Sequence, residues 1–428
     1  MTGPRRTIQR RLRTAHPFWA ETPHISVAHR AEPAQLRWDV VIVGTGISAA
    51  LLAERLTRRK RRVLLVDRRQ PVRGSSLAST AMIQHEIDVP LSRLARQIGP
   101  DKAARAWLRS VKAVEELLRL SRRLRLDCQM QRKRALYLAG DEMGFRALEA
   151  EAALRRETGI AAEFLSRRRL LEAYGIDRTG AIRSTASASA NPAQLTAGLL
   201  RLAQERGAEI VSPFEVADFA ELADGVALAS SAGRVVVAGH AVFCTGYEFL
   251  PQLASAHHRI ISTWAVASAE GVRHPAWLDD YLVWEAADPY LYFRTTPSGR
   301  IIAGGEDEAS PDAYEDAGKL RRNAAEIARE LRETCGIRIG RPAYLWAAAF
   351  GDSDDGLPIV DAVPGCRRCH AVMGFGGNGI TYSVIAAELT ARRIDGRADP
   401  DADLYRFRRA RPCRCQPESA RRKGNDAM

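Results

Sequence analysis

Three features of the sequence predict an α/β protein. An apolar strand, Asp39–Val43 (DVVIV), runs straight into a glycine turn and then a helical stretch. A second strand, Arg62–Asp67 (RVLLVD), follows that helix at once. Much later, residues 258–305 are dense in β-formers, with turn residues between them. The first two features define a strand–helix–strand unit with a parallel pair, and the third an antiparallel sheet.

The elements follow in order. Ala49–Leu56 has no helix breaker and links the first two strands. Residues 91–126 repeat apolar positions at i, i+3 and i+4, which predicts helical structure with arginines outward. Arg134–Ala139 reads as a strand, Phe145–Arg156 as a helix, and Pro192–Glu205 as an amphipathic helix leading to a strand from Ala208. Two strands, Gly225–Ser230 and Arg234–Ala238, flank Ser231-Ala-Gly233, a hairpin signal, and a separate strand Ala241–Cys244 runs into Thr245-Gly246. In the β-rich stretch Pro297-Ser298-Gly299 supplies a hairpin turn. Gly318–Thr334 is helical, Arg341–Phe350 returns to strand, and His370–Met373 leads through a glycine loop to a helix over Ile380–Ile394.

With 428 residues, more than one core is expected. A composition of 46% hydrophobic, 7% aromatic and 27% charged residues excludes a disordered chain, a collagen-like repeat and a small disulfide scaffold. No stretch reaches the roughly 20 apolar residues of a membrane span, and the arginine-rich start lacks the apolar core of a secretory signal. Seven scattered cysteines fit a reduced protein of the cytoplasm. Most of the formal charge of +13 sits at the two ends, residues 1–37 and 406–428, and the body between is nearly neutral. Both ends lack periodicity and are expected to be mobile basic segments, so nucleic acid is not an expected partner. Cys366-x-x-Cys369 with Cys413-x-Cys415 does not have the spacing of a zinc site, and no metal is expected.

The turn Gly44-Thr-Gly46-Ile47-Ser48-Ala49 lies between a strand and a helix, where such a motif binds a dinucleotide. Its first glycine permits the tight turn, its second lets the backbone approach a pyrophosphate, and Ala49 lets helix and strand pack closely. Amides at the helix start, with its dipole, offset phosphate charge. Asp67, 21 residues beyond Gly46, ends the next strand in position to accept from ribose hydroxyls. A second glycine cluster, Gly374-Phe-Gly376-Gly377-Asn378-Gly379, precedes a helix more than 300 residues later. Two such turns suggest one long ligand gripped at both ends, FAD rather than NAD, with the second helix stabilising charge on the reduced flavin.

These blocks, taken in order, resemble the D-amino-acid oxidase-like FAD oxidoreductases, a family that includes glycine, sarcosine and γ-glutamylputrescine oxidases. The resemblance runs from Arg37 to Arg397. It is carried by DVVIVGTGISAALLAERL, RGSSLASTAMIQHEID (73–88), VFCTGYE (242–248), YFRTTPSGRIIAGGEDE (292–308), and DGLPIVD (355–361) with GFGGNGITYSVIAAEL (374–389). It implies a Rossmann-like FAD-binding domain, residues 37–80, 190–250 and 352–397. A second, antiparallel-sheet substrate domain would comprise residues 81–189 and 251–351, outside a basic extension at 1–36 and a disordered tail at 406–428. Carried over by position, Gly44, Gly46, Ile47 and Ser48 resemble the pyrophosphate loop and Asp67 the ribose ligand, with Arg68 near the adenine. Ser75, Ser79 and Thr80 resemble a loop beside pyrophosphate and flavin. Val216 resembles the residue packing on adenine, and Gly246 the glycine near the pyrophosphate. Gly376, Gly377, Asn378, Gly379 and Ile380 resemble the loop at the flavin pyrimidine.

For chemistry, the resemblance assigns Arg294 to a substrate carboxylate, a task suited to a guanidinium fork on a rigid strand. Tyr292, with Tyr290 or in its place, is expected to face the pocket, and His85 is either a pocket residue or a hydrogen-bonded structural histidine. Trp346 is followed by Ala-Ala-Ala-Phe where covalently flavinylated relatives place a cysteine, so the FAD is expected to be non-covalent. The implied reaction oxidises the C–N bond of a small amine or amino acid by hydride transfer to flavin N5, with oxygen or an electron carrier as acceptor. Rival readings are FAD-dependent processing of a modified RNA base and a non-catalytic dinucleotide-binding protein.

Overall fold

Apolar residues on both faces of the strand Arg37–Val43 place it inside a sheet covered on both sides. Val40 and Ile42 face one core with the helices, while Val41 and Val43 face another with Leu64, Val66 and Leu228. The structure is a computed structural model that describes residues 10–248, 250–255 and 258–407. Among the described residues an eight-stranded sheet runs Ile359–Ala362, Cys369–Met373, Val235–Phe243, Arg37–Val43, Val63–Val66, Glu209–Val211. Its four central pairings are parallel. Strands Val216–Glu221 and Val226–Ser230 extend it as a hairpin on Val235–Phe243. Helices Ile47–Thr57, Pro192–Glu205 and Gly379–Ile394 pack together beside it. Asn191 caps the second of these by accepting from the amides of Ala193 and Gln194.

The second, ten-stranded sheet is mostly antiparallel. It runs Arg13–Thr14, Tyr344–Ser353, His258–Ala267, Ile301–Glu308, Tyr292–Thr295, Tyr281–Ala286, Gln131–Ala139, Gly180–Ser189, Met82–Gln84, and Ala162–Ser166 pairs with Gly180–Ser189. Helix Ala317–Cys335 buries Leu320, Ile327 and Leu331 on one face, against Val266, Phe293 and Ile301. The other face of this sheet, with Ala265, Ile302 and Trp346, joins the core that holds Val40 and Ile42. The chain passes between the sheets repeatedly, so residues distant in sequence meet at their junction.

Some expectations are refined or fail for identifiable reasons. The helical run 91–126 is two helices, Leu91–Ile98 and Pro100–Arg123. Gly99, at φ +92°, breaks it, and Pro100 starts the next helix where its missing N–H costs nothing. The strands expected at 234–238 and 241–244 are one, Val235–Phe243, because Gly239 continues the pairing edge to edge with Arg37–Val43. Residues 10–36 are not a loose basic segment. Arg13–Thr14 pairs with Tyr344–Ser353, and Trp19, Ile25 and Val27 are buried in the core. Cys366 and Cys369 are joined as a disulfide, against the expected reduced state, their Cα atoms held 5.4 Å apart by a tight turn. Residues 408–428, with Cys413 and Cys415, lie outside the described residues. Among the described residues no helix is long and apolar enough to cross a membrane, and no group of side chains could hold a metal ion.

Candidate active site

Where the two sheets face each other they leave one long cavity of about 1870 Å³, counting its open mouth. Its first end is built by the strand-to-helix turn. Gly44 sits at φ +115°, and a Cβ there would come within 2.3 Å of the Cys244 carbonyl oxygen, so only glycine fits between the two central strands. Gly46, Ile47 and Ser48 continue along the wall; the Ile47 amide donates to Ser76 Oγ (3.0 Å) and Ser48 Oγ lies 2.7 Å from Ser383 Oγ. Asp67 lines the cavity with its carboxylate occupied by the Thr45 amide (2.8 Å) and hydroxyl (2.6 Å) and by the Arg69 amide (2.9 Å). Burial outweighs these donors and raises its pKa. Arg68 and Arg69 converge on Glu248, and Arg68 also reaches Glu215 (3.5 Å). Val216 and Gly246 complete this end, with Leu12 from the N-terminal segment.

The middle is the loop Ser75–Thr80. Three side chains from three parts of the chain hold its carbonyls in succession. Trp346 Nε1 donates to Ala78 O (2.9 Å), Trp19 Nε1 to Ser79 O (2.7 Å) and Arg294 Nε to Thr80 O (2.8 Å). Fixing the carbonyls on one side leaves Ser75, Ser79 and Thr80 along the cavity.

The far end is formed by Gly376, Gly377, Gly379 and Ile380, at the start of helix Gly379–Ile394, and by the ten-stranded sheet. Asp88 accepts from the Gly377 amide (2.7 Å); it is exposed, but into the cavity, and burial of its surroundings pushes its pKa up to about 6. Tyr292, Thr263, Trp284 and Asp307 project from the sheet, and Tyr290 joins them from the connection before strand Tyr292–Thr295. Gly304 makes room for this: a Cβ there would lie 2.3 Å from the Tyr292 hydroxyl oxygen, so the ring can lie flat across the neighbouring strand. Asp307 reaches the cavity through a β-bulge. Ser262 pairs with Glu308 and Trp264 with Gly305, so Thr263 opposes both Glu306 and Asp307. Glu306 sits at φ +58°, and the extra residue turns Asp307 to the face of Ile302 and Gly304. Burial pushes the Asp307 pKa up to about 7, and burial also raises those of Tyr290 and Tyr292.

Of the residues singled out from sequence, three do not line the cavity. Arg294 is 1% exposed and gives its donors to three carbonyls, Thr80, Ala190 (3.0 Å) and Thr295 (3.0 Å), over the Trp19 ring. Burial lowers its pKa to about 9, so it stays charged at neutral pH. It cannot receive a substrate carboxylate without abandoning those bonds, which corrects its assignment. His85 is fully buried, with Nδ1 2.9 Å from Ala186 O and its ring edge-on to Trp107; burial holds it neutral, and it is a core residue. Asn378 turns inward, donating to Glu86 O (2.8 Å) and Asp88 Oδ1 (3.1 Å), and so braces the turn from behind. Tyr292 and the other cofactor candidates share the one cavity. Asp88, Thr263, Glu248 and Asp307 were not foreseen. Only Asp307 left a signal, the Gly304-Gly305 pair in a strand, which marks a bulge or a close approach.

The fold and this cavity define a class: two-sheet proteins whose strand–glycine-turn–helix unit opens onto a cavity that runs on to a second glycine turn at the start of another helix. Residues 39–393 match the family described as FAD dependent oxidoreductase, and the chain belongs to that family. No curated protein matches it. Among solved structures, glycine oxidase from Geobacillus kaustophilus is similar at 21% identity with a TM-score of 0.72, over 88% of this chain and 100% of that one. L-amino acid deaminase from Proteus vulgaris is similar at 14% identity and TM-score 0.72, over 90% and 100%. Iminodiacetate oxidase from Chelativorans sp. BNC1 is similar at 19% identity and TM-score 0.66, over 84% and 96%.

Proposed function

We propose that this FAD-dependent oxidoreductase oxidises the C–N bond of a small amine or amino acid. The observation that carries the reading is the continuity of one cavity from the Gly44–Ser48 turn, past Ser75–Thr80, to the Gly376–Ile380 turn and on to Tyr290, Tyr292 and Asp307. The residues fit FAD: no Cβ can enter at Gly44, helix Ile47–Thr57 starts at the first end of the cavity with the positive end of its dipole, and helix Gly379–Ile394 starts at the far end. Gly44, Gly46, Ile47 and Ser48 would hold the pyrophosphate, Asp67 and Arg68 the ribose and adenine side, Val216 the adenine, and Gly376, Gly377, Gly379 and Ile380 the pyrimidine. When bound, FAD supplies a two-electron acceptor for hydride. Cys244 is the cysteine among the described lining residues, and burial pushes its thiol up to about 12, which favours non-covalent binding. The units built on the two sheets would serve as cofactor and substrate domains, with the boundaries expected from sequence. Tyr290, Tyr292, Thr263 and Trp284 would wall the substrate and exclude water.

The reading is tested by mixing purified protein anaerobically with a panel of amines and amino acids. Bleaching of a flavin band by at least one, and its return in air or with an added electron carrier, is expected. A protein without flavin that gains none from added FAD, or a flavin that no panel member bleaches, would falsify it.

A further inference from the structure

The far end of the cavity carries a charge pattern that C–N oxidation in general does not require. It is lined by Asp88, Asp307, Tyr290, Tyr292, Thr263 and Trp284. Arg68 and Arg69 are the basic residues among the described lining, and both are held at the opposite end by Glu248. Arg294, on the neighbouring strand, is consumed by three carbonyls. Among the described residues no cation is therefore positioned there to receive a carboxylate.

Asp307 is the group left in need of one. The bulge at Glu306 aims it into the cavity at the cost of a left-handed backbone on a non-glycine residue. Thr263 and Tyr290 stand beside its carboxyl and temper the shift, yet its Oδ1 is buried without a hydrogen-bond partner. Asp88 stands close enough to add repulsion. The ionised form of a carboxyl placed in this way is unfavourable until an opposite charge arrives, and a substrate carboxylate would add a third like charge.

We infer that the substrate is a primary or secondary amine bound as its ammonium ion, without a carboxylate beside the reacting carbon, and that Asp307 receives it. The inference rests on the amine-oxidising reading and narrows it. The ammonium N–H donates to the Asp307 carboxylate. One proton then passes from nitrogen to oxygen: an N–H bond breaks, an O–H bond forms, and a neutral amine remains beside a neutral acid. That amine has the free lone pair which loss of hydride from the adjacent carbon needs. Thr263 and Tyr290 keep the carboxyl oriented through the exchange.

The test uses FAD-loaded protein titrated at pH 8 with butylamine and with butyrate, matched in length and opposite in charge. Binding is followed by flavin absorbance and by calorimetry. Butylamine is expected to bind at least about tenfold more tightly than butyrate. Asp307→Asn should cost butylamine about tenfold or more, leave butyrate unchanged or tighter, and keep the flavin spectrum; Asp307→Glu should restore part of the loss. Equal affinities, a preference for butyrate, no binding of either, or an Asp307→Asn protein that binds butylamine as before overturns the inference. Absence of flavin counts instead against the FAD reading, and calorimetry on that protein still reads the preference between cation and anion.

Discussion

Two groups of charge flank the segment Gln84–Asp88, one in the core and one on the cavity wall, and they are built on opposite terms. On one side Arg155 and Glu151 are both wholly buried. Arg155 bonds Glu151 (2.9 Å), approaches Glu86 (3.5 Å) and stacks 4.5 Å over Trp107. Ser184 adds a hydroxyl to Glu86, and the Leu91 and Ser92 amides at a helix start cap Glu151. Burial works against the Glu151 carboxylate, but Arg155 and these donors outweigh it and leave its pKa lowered. On the other side Asp307 and Asp88 face the cavity with no cation beside them among the described lining residues, and both pKa values are raised. The paired group holds the fold together, whereas the unpaired one leaves part of its charge balance to a ligand. Nearness in space does not make two carboxylates alike; the partner does.

The sharpest way to break this contrast is Arg155→Met. It strands two carboxylates in the core, and a loss on the order of 3–5 kcal/mol is expected in urea or thermal unfolding. A loss below about 1 kcal/mol would mean that the pairing is dispensable. Next comes Arg294→Met. Three carbonyls lose their donor and the Ser75–Thr80 loop loses one of its three anchors, so stability should fall by about 2–4 kcal/mol. Flavin retention should fall with it, measured as FAD lost on dialysis. A selective rise in KM with full stability would instead return Arg294 to substrate binding.

Asp307→Asn should act in the opposite direction, raising stability by about 1–3 kcal/mol at pH 8 in the ligand-free protein. Below about pH 4 both folded and unfolded chains keep the Asp307 proton. Between there and about 7 the unfolded chain releases it and the folded chain does not, so stability falls as pH rises and levels off above. The variant's advantage should therefore be small at pH 5 and full at pH 8. Asp88, Asp288, Tyr290 and Tyr292 surround the group and remain in the variant, so the difference between the two proteins isolates Asp307. Thermal melts at both pH values check it; an advantage larger at pH 5 would reverse the assignment.

Local signals carried much of the fold. The strand–glycine-turn–helix unit, the helix Pro192–Glu205 and the hairpin turn at Ser231–Gly233 were legible because each is specified by residues within one or two turns of itself. The cofactor candidates were legible for the same reason, since glycines at a helix start mark a close approach wherever they stand. Arg294 was misread because a strand arginine looks the same whether it meets a ligand or three carbonyls. Its role depends on Thr80, Ala190 and Trp19, each more than 100 residues away along the chain. His85 could be read from sequence as either a pocket or a structural histidine, because nothing in its neighbours along the chain announces Trp107 beside its ring or the Ala186 carbonyl.

What the amino-acid order by itself determined is the pair of glycine turns, the alternation of strands and helices, and the family; these follow from steric and periodic rules that act over a few residues. What only the tertiary structure decided is which charges are paired. Electrostatic partners meet across the two sheets, and a single bulged residue, Glu306, determines whether Asp307 faces the core or the cavity.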